Sequence, residues 1–164
     1  MKLLVRHGLP CSPEKYWKMY WDDDFDAMLR KESAVERELL EERDDGDVLV
    51  RRVRITPDRE LPTPVAKLLG APKLVYEQEN RWDRKNAVLH WKVLPTILPG
   101  KLDCRGTFRI QPTATGCEQV VDGEIKVNVM LVGGQIEKAV VAEIEKSYDR
   151  MAAASKEWLA AHPD

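Results

Sequence analysis

The chain has little of what metal sites, disulfide frameworks and imidazole catalysis are built from. Its 164 residues include three cysteines and three histidines. Cys11, Cys104 and Cys117 are odd in number and lack C-x-x-C spacing, which excludes a disulfide framework or zinc site as a reading of the sequence. His7, His90 and His162 lie too far apart along the chain to suggest a metal triad. There is no excess of positive charge: 26 Lys and Arg stand against 28 Asp and Glu, a formal net charge of −2. That argues against a nucleic-acid footprint and against a cationic face for anionic membranes. No apolar run reaches the length of a membrane span, and Met1 to His7 is too short for the core of a secretion signal. A cytoplasmic protein with no cofactor is therefore expected. No linker, repeat or low-complexity stretch divides residues 1–164, so one domain is expected. Gly133-Gly134 fits no phosphate-loop pattern and reads as a turn. The Asp22-Asp23-Asp24 run has no downstream carboxylate at calcium-loop spacing.

What the chain does have is a long strand turning into a long helix. From Gly116 to Leu131, Val121, Ile125, Val127, Val129 and Leu131 alternate with Glu118, Asp122, Glu124, Lys126 and Asn128. A period of two predicts a strand with one buried face. Beyond Gly133-Gly134, Ile136, Val140, Ile144, Tyr148, Met151, Ala154 and Trp158 recur every three or four residues. This predicts a helix from Gln135 to Ala161 with one apolar stripe. Such a stripe must be covered, so the helix is placed on a sheet, where a charge at Ile144 is expected to unfold the domain.

The rest of the chain supplies that sheet. Lys2 to Leu9 alternates as a strand. Ser12-Pro13-Glu14 opens a helix carrying Tyr16, Trp17, Met19 and Tyr20, and a second short helix, with Asp23 or Asp24 as its cap, carries Phe25, Met28 and Leu29. Ala34 to Arg43 and Val48 to Thr56 form a hairpin around Asp44-Asp45-Gly46-Asp47. Charge pairing sets Glu36 opposite Arg54 and Glu38 opposite Arg52 on its solvent face. A helix from Thr63 to Leu69, capped by Thr63, ends at Gly70. Strands near Lys73–Trp82, Ala87–Leu94 and Lys101–Gln111 complete an antiparallel meander. Their turns set Tyr76 opposite Val93, Gln78 opposite Trp91, Leu89 opposite Ile110, Phe108 opposite Val121 and Cys104 opposite Ile125. All put the large apolar residues on one face. The class is α+β: a strongly curved antiparallel sheet of about seven strands wrapped around the C-terminal helix, with two short helices after the first strand.

Between sheet and helix a cavity is expected. Its walls would be Tyr76, Leu89, Trp91, Phe108, Val121, Gly123, Ile125, Val127, Ile136, Val140, Ile144 and Tyr148, with Trp82 a further candidate. Gly106 and Gly123 fall opposite each other, which leaves side-chain volume missing from mid-sheet. Either the sheet bends there or the space is room for a ligand. The same face carries Arg37 and Arg51 among apolar neighbours. A guanidinium there needs a partner. Glu41 on that face or Glu143 on the helix could supply it, as could a wet cavity mouth. A polar anchor for an acidic or phosphorylated head group is the other reading. No catalytic residue and no metal ligand is identified.

The order of elements resembles the START-like superfamily, also called SRPBCC or the helix-grip fold, of lipid-transfer proteins, ligand carriers and polyketide cyclases. A closer likeness, to an uncharacterised bacterial family within it, rests on three stretches: Gly123-Glu124-Ile125-Lys126-Val127 with Leu131-Val132-Gly133-Gly134-Gln135-Ile136-Glu137, Pro95 to Pro99, and Gly106-Thr107-Phe108-Arg109-Ile110-Gln111-Pro112. That family commonly has proline where Met130 stands. The resemblance implies non-catalytic binding or transport of a hydrophobic small molecule such as a lipid. Its alternatives are a cyclase or aromatase acting on a polyketide-like substrate, and a protein-interaction module using the same groove. Oligomeric state is written in none of these patterns.

Overall fold

The computed structural model describes residues 1–33, 35–94, 96 and 98–164. The elements in chain order are β1 (Lys2–Leu9), α1 (Pro13–Tyr20), α2 (Asp23–Ser33), β2 (Val35–Asp44), β3 (Val48–Pro57), α3 (Thr63–Leu69), β4 (Tyr76–Asp83), β5 (Val88–Val93), β6 (Leu102–Thr113), β7 (Gly116–Val127) and α4 (Gly133–Ala161). Ala34, expected to begin the hairpin, and Pro95 and Ile97 of the Pro95–Pro99 phrase lie outside the described residues.

All seven strands join one antiparallel sheet in the order β1-β7-β6-β5-β4-β3-β2. The first strand thus pairs with the last, Leu3 facing Gly123 and Val5 facing Val121. α1 and α2 carry the chain from that edge to the opposite one. Ser12 caps α1 by accepting from the Lys15 amide at 3.2 Å. Asp22, rather than Asp23 or Asp24, caps α2: its Oδ1 accepts from the Asp24 amide at 2.8 Å and the Phe25 amide at 3.4 Å. The cap must stand outside the helix it serves, and α2 begins at Asp23, one of its two expected starts. For the same reason Thr63 sits in the first turn of α3, with Pro62 before it, and Gly70 ends that helix at φ 66°.

β7 stops at Val127, short of the expected Leu131. The Asn128 amide donates to the Lys101 carbonyl at 2.7 Å, and Leu131 is 97 % exposed at φ 71°. Gly133 already belongs to α4, where a Cβ would lie 2.3 Å from the Val127 carbonyl oxygen. Glu137 closes this corner by accepting the Val127 amide at 2.9 Å, which holds its carboxyl below the usual range.

Three registers differ from expectation. Across β4 and β5, Asn80 faces Trp91 and Trp82 faces Leu89; across β5 and β6, Leu89 faces Phe108 and Trp91 faces Gly106. Each is a slip of two residues, which keeps every side chain on its face. The cause at β4–β5 is a turn over Arg84–Ala87, with Ala87 at φ 51°, closed by Asp83 opposite Val88. In the hairpin, Glu38 faces Arg54, and a bulge between Leu39 and Glu41 then sets Glu41 opposite Arg52 and Glu42 opposite Arg51. An extra residue on one strand exchanges faces beyond it, so Glu41 leaves the concave side and Glu42 joins it. On the convex side Arg52 and Arg54 converge on Glu77, Arg52 donating through Nη2 at 2.6 Å.

Candidate ligand-binding cavity

α4 is 29 residues long, about 43 Å at ~1.5 Å per residue, and its two halves do different things. In the C-terminal half Met151, Ala152, Ala154, Ser155 and Leu159 are buried, and the helix rests on β1, β7 and α2. Alanine and serine there let the backbones approach closely. In the N-terminal half Ile136 packs with Val65 and Val127, whereas Val140, Ile144 and Tyr148 are only half-buried. The sheet curves away beneath them, and the space left is a cavity of about 610 Å³. That is the size range of small-molecule sites.

Of the expected wall residues, Tyr76, Leu89, Trp91, Phe108, Ile136, Val140, Ile144 and Tyr148 line this cavity, as does Trp82. Val121, Gly123, Ile125 and Val127 do not. They point to the same side of the sheet but are covered at its closed end: Val121 and Ile125 are fully buried and Val127 packs with Ile136. The space over the facing glycines is taken as well. A Cβ on Gly123 would meet Trp91 Cζ2 at 2.6 Å and the Arg105 carbonyl oxygen at 2.7 Å, and one on Gly106 would lie 2.6 Å from the same indole. The glycine pair is the seat of Trp91.

Other elements supply walls that the sequence reading did not name. Tyr20 and Trp21 come from α1 and its end, and Phe25 and Leu29 from α2. Val53 and Ile55 come from β3, and Val65 and Leu69 from α3. Their signal was present as the apolar sides of the short helices, but nothing in the sequence says which part of a helix is covered by protein and which by empty space. The aromatic floor is continuous: Trp17 contacts Trp82 with centroids 4.3 Å apart, Tyr20 contacts Phe108 at 5.7 Å, and Phe108 stacks on Tyr148 at 5.8 Å. Gln78 donates to Asn80 at 2.7 Å, so part of the polar lining is internally satisfied.

Both flagged arginines line the cavity, with different surroundings. Arg51 Nε donates to Glu42 at 2.7 Å, and its guanidinium lies 5.0 Å over the Trp21 ring. The carboxylates expected to serve the arginines are used elsewhere: Glu143 lies 3.7 Å from Arg59, and Glu41 is 4.0 Å from Arg52. Arg37 Nε is buried with no hydrogen-bond partner among the described residues.

The carboxylates that line the cavity are Asp22, Asp23, Asp26, Glu60 and Glu143. No described histidine lines it: His7 contacts Asp149 at 2.8 Å, His162 stacks on Trp158, and His90 is exposed on the convex face. Burial pushes the hydroxyls of Tyr20, Tyr76 and Tyr148 upward, and the Arg37 charge only partly opposes it. Cys104, at the cavity wall, is pushed up to about 11 by burial, so its thiol stays protonated at neutral pH. Cys11 and Cys117 are buried elsewhere with sulfurs 3.8 Å apart, and burial pushes Cys117 up to about 12. Among the described residues no group of three or more His, Cys, Asp or Glu could hold a metal ion, and no helix is long and apolar enough to cross a membrane.

Solved structures with this architecture span the whole chain. The protein TTHA0849 from Thermus thermophilus matches with a TM-score of 0.67 at 18 % identity, covering 99 % of this chain and 100 % of its own. A START superfamily protein from Mycobacterium smegmatis matches with a TM-score of 0.62 at 13 % identity, covering 96 % and 97 %. The Zhui aromatase/cyclase from Streptomyces sp. R1128 matches with a TM-score of 0.60 at 15 % identity, covering 96 % and 93 %. At such identities the likeness is one of fold, and that fold is START-like, the helix grip expected from the order of elements. No curated protein matches the sequence. The family model described as "Protein of unknown function (DUF2505)" matches residues 5–159, and the chain belongs to that family.

Proposed function

We propose that this chain is a non-catalytic, single-domain binder or carrier of a hydrophobic small molecule, a lipid among the candidates, held between the curved sheet and the N-terminal half of α4. The observation that carries the reading is the cavity itself: about 610 Å³ walled by aromatic and aliphatic side chains. A void of that size forfeits the dispersion contacts its lining would otherwise make. An apolar occupant restores them and leaves water in doing so. Three free, buried thiols agree with a reducing, cytoplasmic setting.

One observation favours a second reading, a cyclase-type enzyme: a Streptomyces aromatase/cyclase shares the fold. Against it, the described wall offers no imidazole: it has tyrosines, a thiol held protonated, and carboxylates of which Asp22 caps α2 and Asp26 and Glu143 are ion-paired, whereas such chemistry uses an acid–base pair poised near neutrality. Native mass spectrometry of the protein as purified tests the carrier reading. An adduct of a few hundred daltons, removed by organic extraction and restored by adding the extract back, is expected. A bare chain that takes up nothing from a lipid extract argues against a carrier.

A further inference from the structure

Among the described cations that line the cavity, only Arg37 has no ion pair. It occupies one row of the sheet with Ile55 and Tyr76, on the concave face near the open edge. Arg51 is neutralised by Glu42 and Arg59 by Glu143, and Asp26 is paired with Arg30 at 2.8 Å. No described carboxylate lies within ion-pair distance of Arg37, and its Nε is buried without a partner. A guanidinium so placed costs stability unless something hydrates or pairs it.

Its surroundings are donors as well. Tyr20, Tyr76 and Tyr148 come from α1, β4 and α4, and all three are close enough for the Arg37 charge to act on their hydroxyls. Of the four tyrosines, among the described residues only Tyr16 hydrogen-bonds through its hydroxyl, donating to Gln119 at 3.1 Å. At Arg37 a planar, bidentate cation and phenol donors thus meet no acceptor beside aromatic and aliphatic walls, while the lining carboxylates Asp26 and Glu143 are taken up by Arg30 and Arg59. That is the complement of an amphipathic acid.

We infer that the ligand is a single apolar chain or ring system ending in a carboxylate, with that carboxylate on the Arg37 guanidinium. The inference rests on the carrier reading and deepens it. Arg51 takes no part, because its charge is already paired with Glu42 through Nε. A carboxylate suits the site because guanidinium geometry pairs with its two oxygens in parallel.

The test is competition against a bound neutral apolar dye, Nile red, by hexadecanoic acid, hexadecanol and hexadecyl phosphate. Wild type is expected to prefer the acid over the alcohol by roughly tenfold to a hundredfold, the range of a charge-assisted hydrogen bond. Arg37→Gln should abolish that preference while leaving dye and alcohol affinity within about twofold, Arg37→Lys should restore part of it, and Arg51→Gln should leave it intact. Dye binding without acid preference, or a preference that survives Arg37→Gln, overturns the anchor and leaves the carrier reading standing. A preference for the phosphate over the acid overturns the carboxylate assignment. A folded wild type that binds no dye removes the carrier reading and the anchor with it.

Discussion

The two ends of the sheet are built on opposite principles. At the β1–β7–β6 end, Leu3, Val121 and Ile125 are at most 2 % exposed, and the alanine-rich half of α4 lies against the strands. At the β2–β3 end, no described residue of β2 is buried, Leu39 is 49 % exposed, and the facing part of α4 carries Val140, Ile144 and Tyr148 over open space. Small side chains let a helix approach the sheet, and large ones beneath a curving sheet hold it off. The cavity follows from a gradient of side-chain size along one helix. Stability resides at the closed end and binding at the open end.

The sharpest way to break this comparison is to place the same charge on α4 at each end. Ala154 is fully buried, so Ala154→Asp should cost about 3–5 kcal/mol or leave no folded protein. Ile144 borders the cavity, so Ile144→Asp, which the sequence alone marks as unfolding, should cost only about 1–2 kcal/mol because the carboxylate reaches cavity water. Urea melting of the pair checks it. Equal losses would mean that α4 is packed uniformly and the cavity closed.

A smaller effect is expected at the glycine pair. Gly123→Leu should destabilise by about 1–3 kcal/mol, because the new side chain meets the Trp91 indole and the Arg105 carbonyl oxygen, which is backbone and gives little. A folded variant should show shifted tryptophan emission with apolar-dye binding reduced only through any movement of Trp91. A variant as stable as wild type that has lost all dye binding would return the site to the glycines.

These residues also show how far the sequence could be read. Alternation and turn chemistry were enough for the element order, the β6–β7 register and the inward face of the strands other than β2 beyond its bulge, since a two-residue slip changes neighbours but not faces. The slip hid one relation. With Leu89 set opposite Ile110, the Gly106–Gly123 pair reads as empty space; with Leu89 opposite Phe108 and Trp91 opposite Gly106, the indole fills it. The bulge at Leu40 was invisible for a different reason: an apolar residue in a strand carries no mark that it is unpaired. Yet that bulge moves Glu42 to Arg51 and leaves Arg37 alone. Half-burial of the α4 stripe was equally unreadable, because a wall of a cavity and a wall of a core use the same residue types.

Everything functional turns on whether the open end takes an apolar molecule, and a cavity-filling substitution read against dye binding measures that directly. Val140 lines the cavity from α4, and Val140→Trp would occupy part of its volume. Wild type should bind one Nile red per chain with saturable, blue-shifted emission. Val140→Trp should keep a cooperative melt near that of wild type and lose at least tenfold in dye affinity. Undiminished dye binding by a folded Val140→Trp protein, or no saturable binding by wild type, would contradict the claim that this cavity is the seat of function.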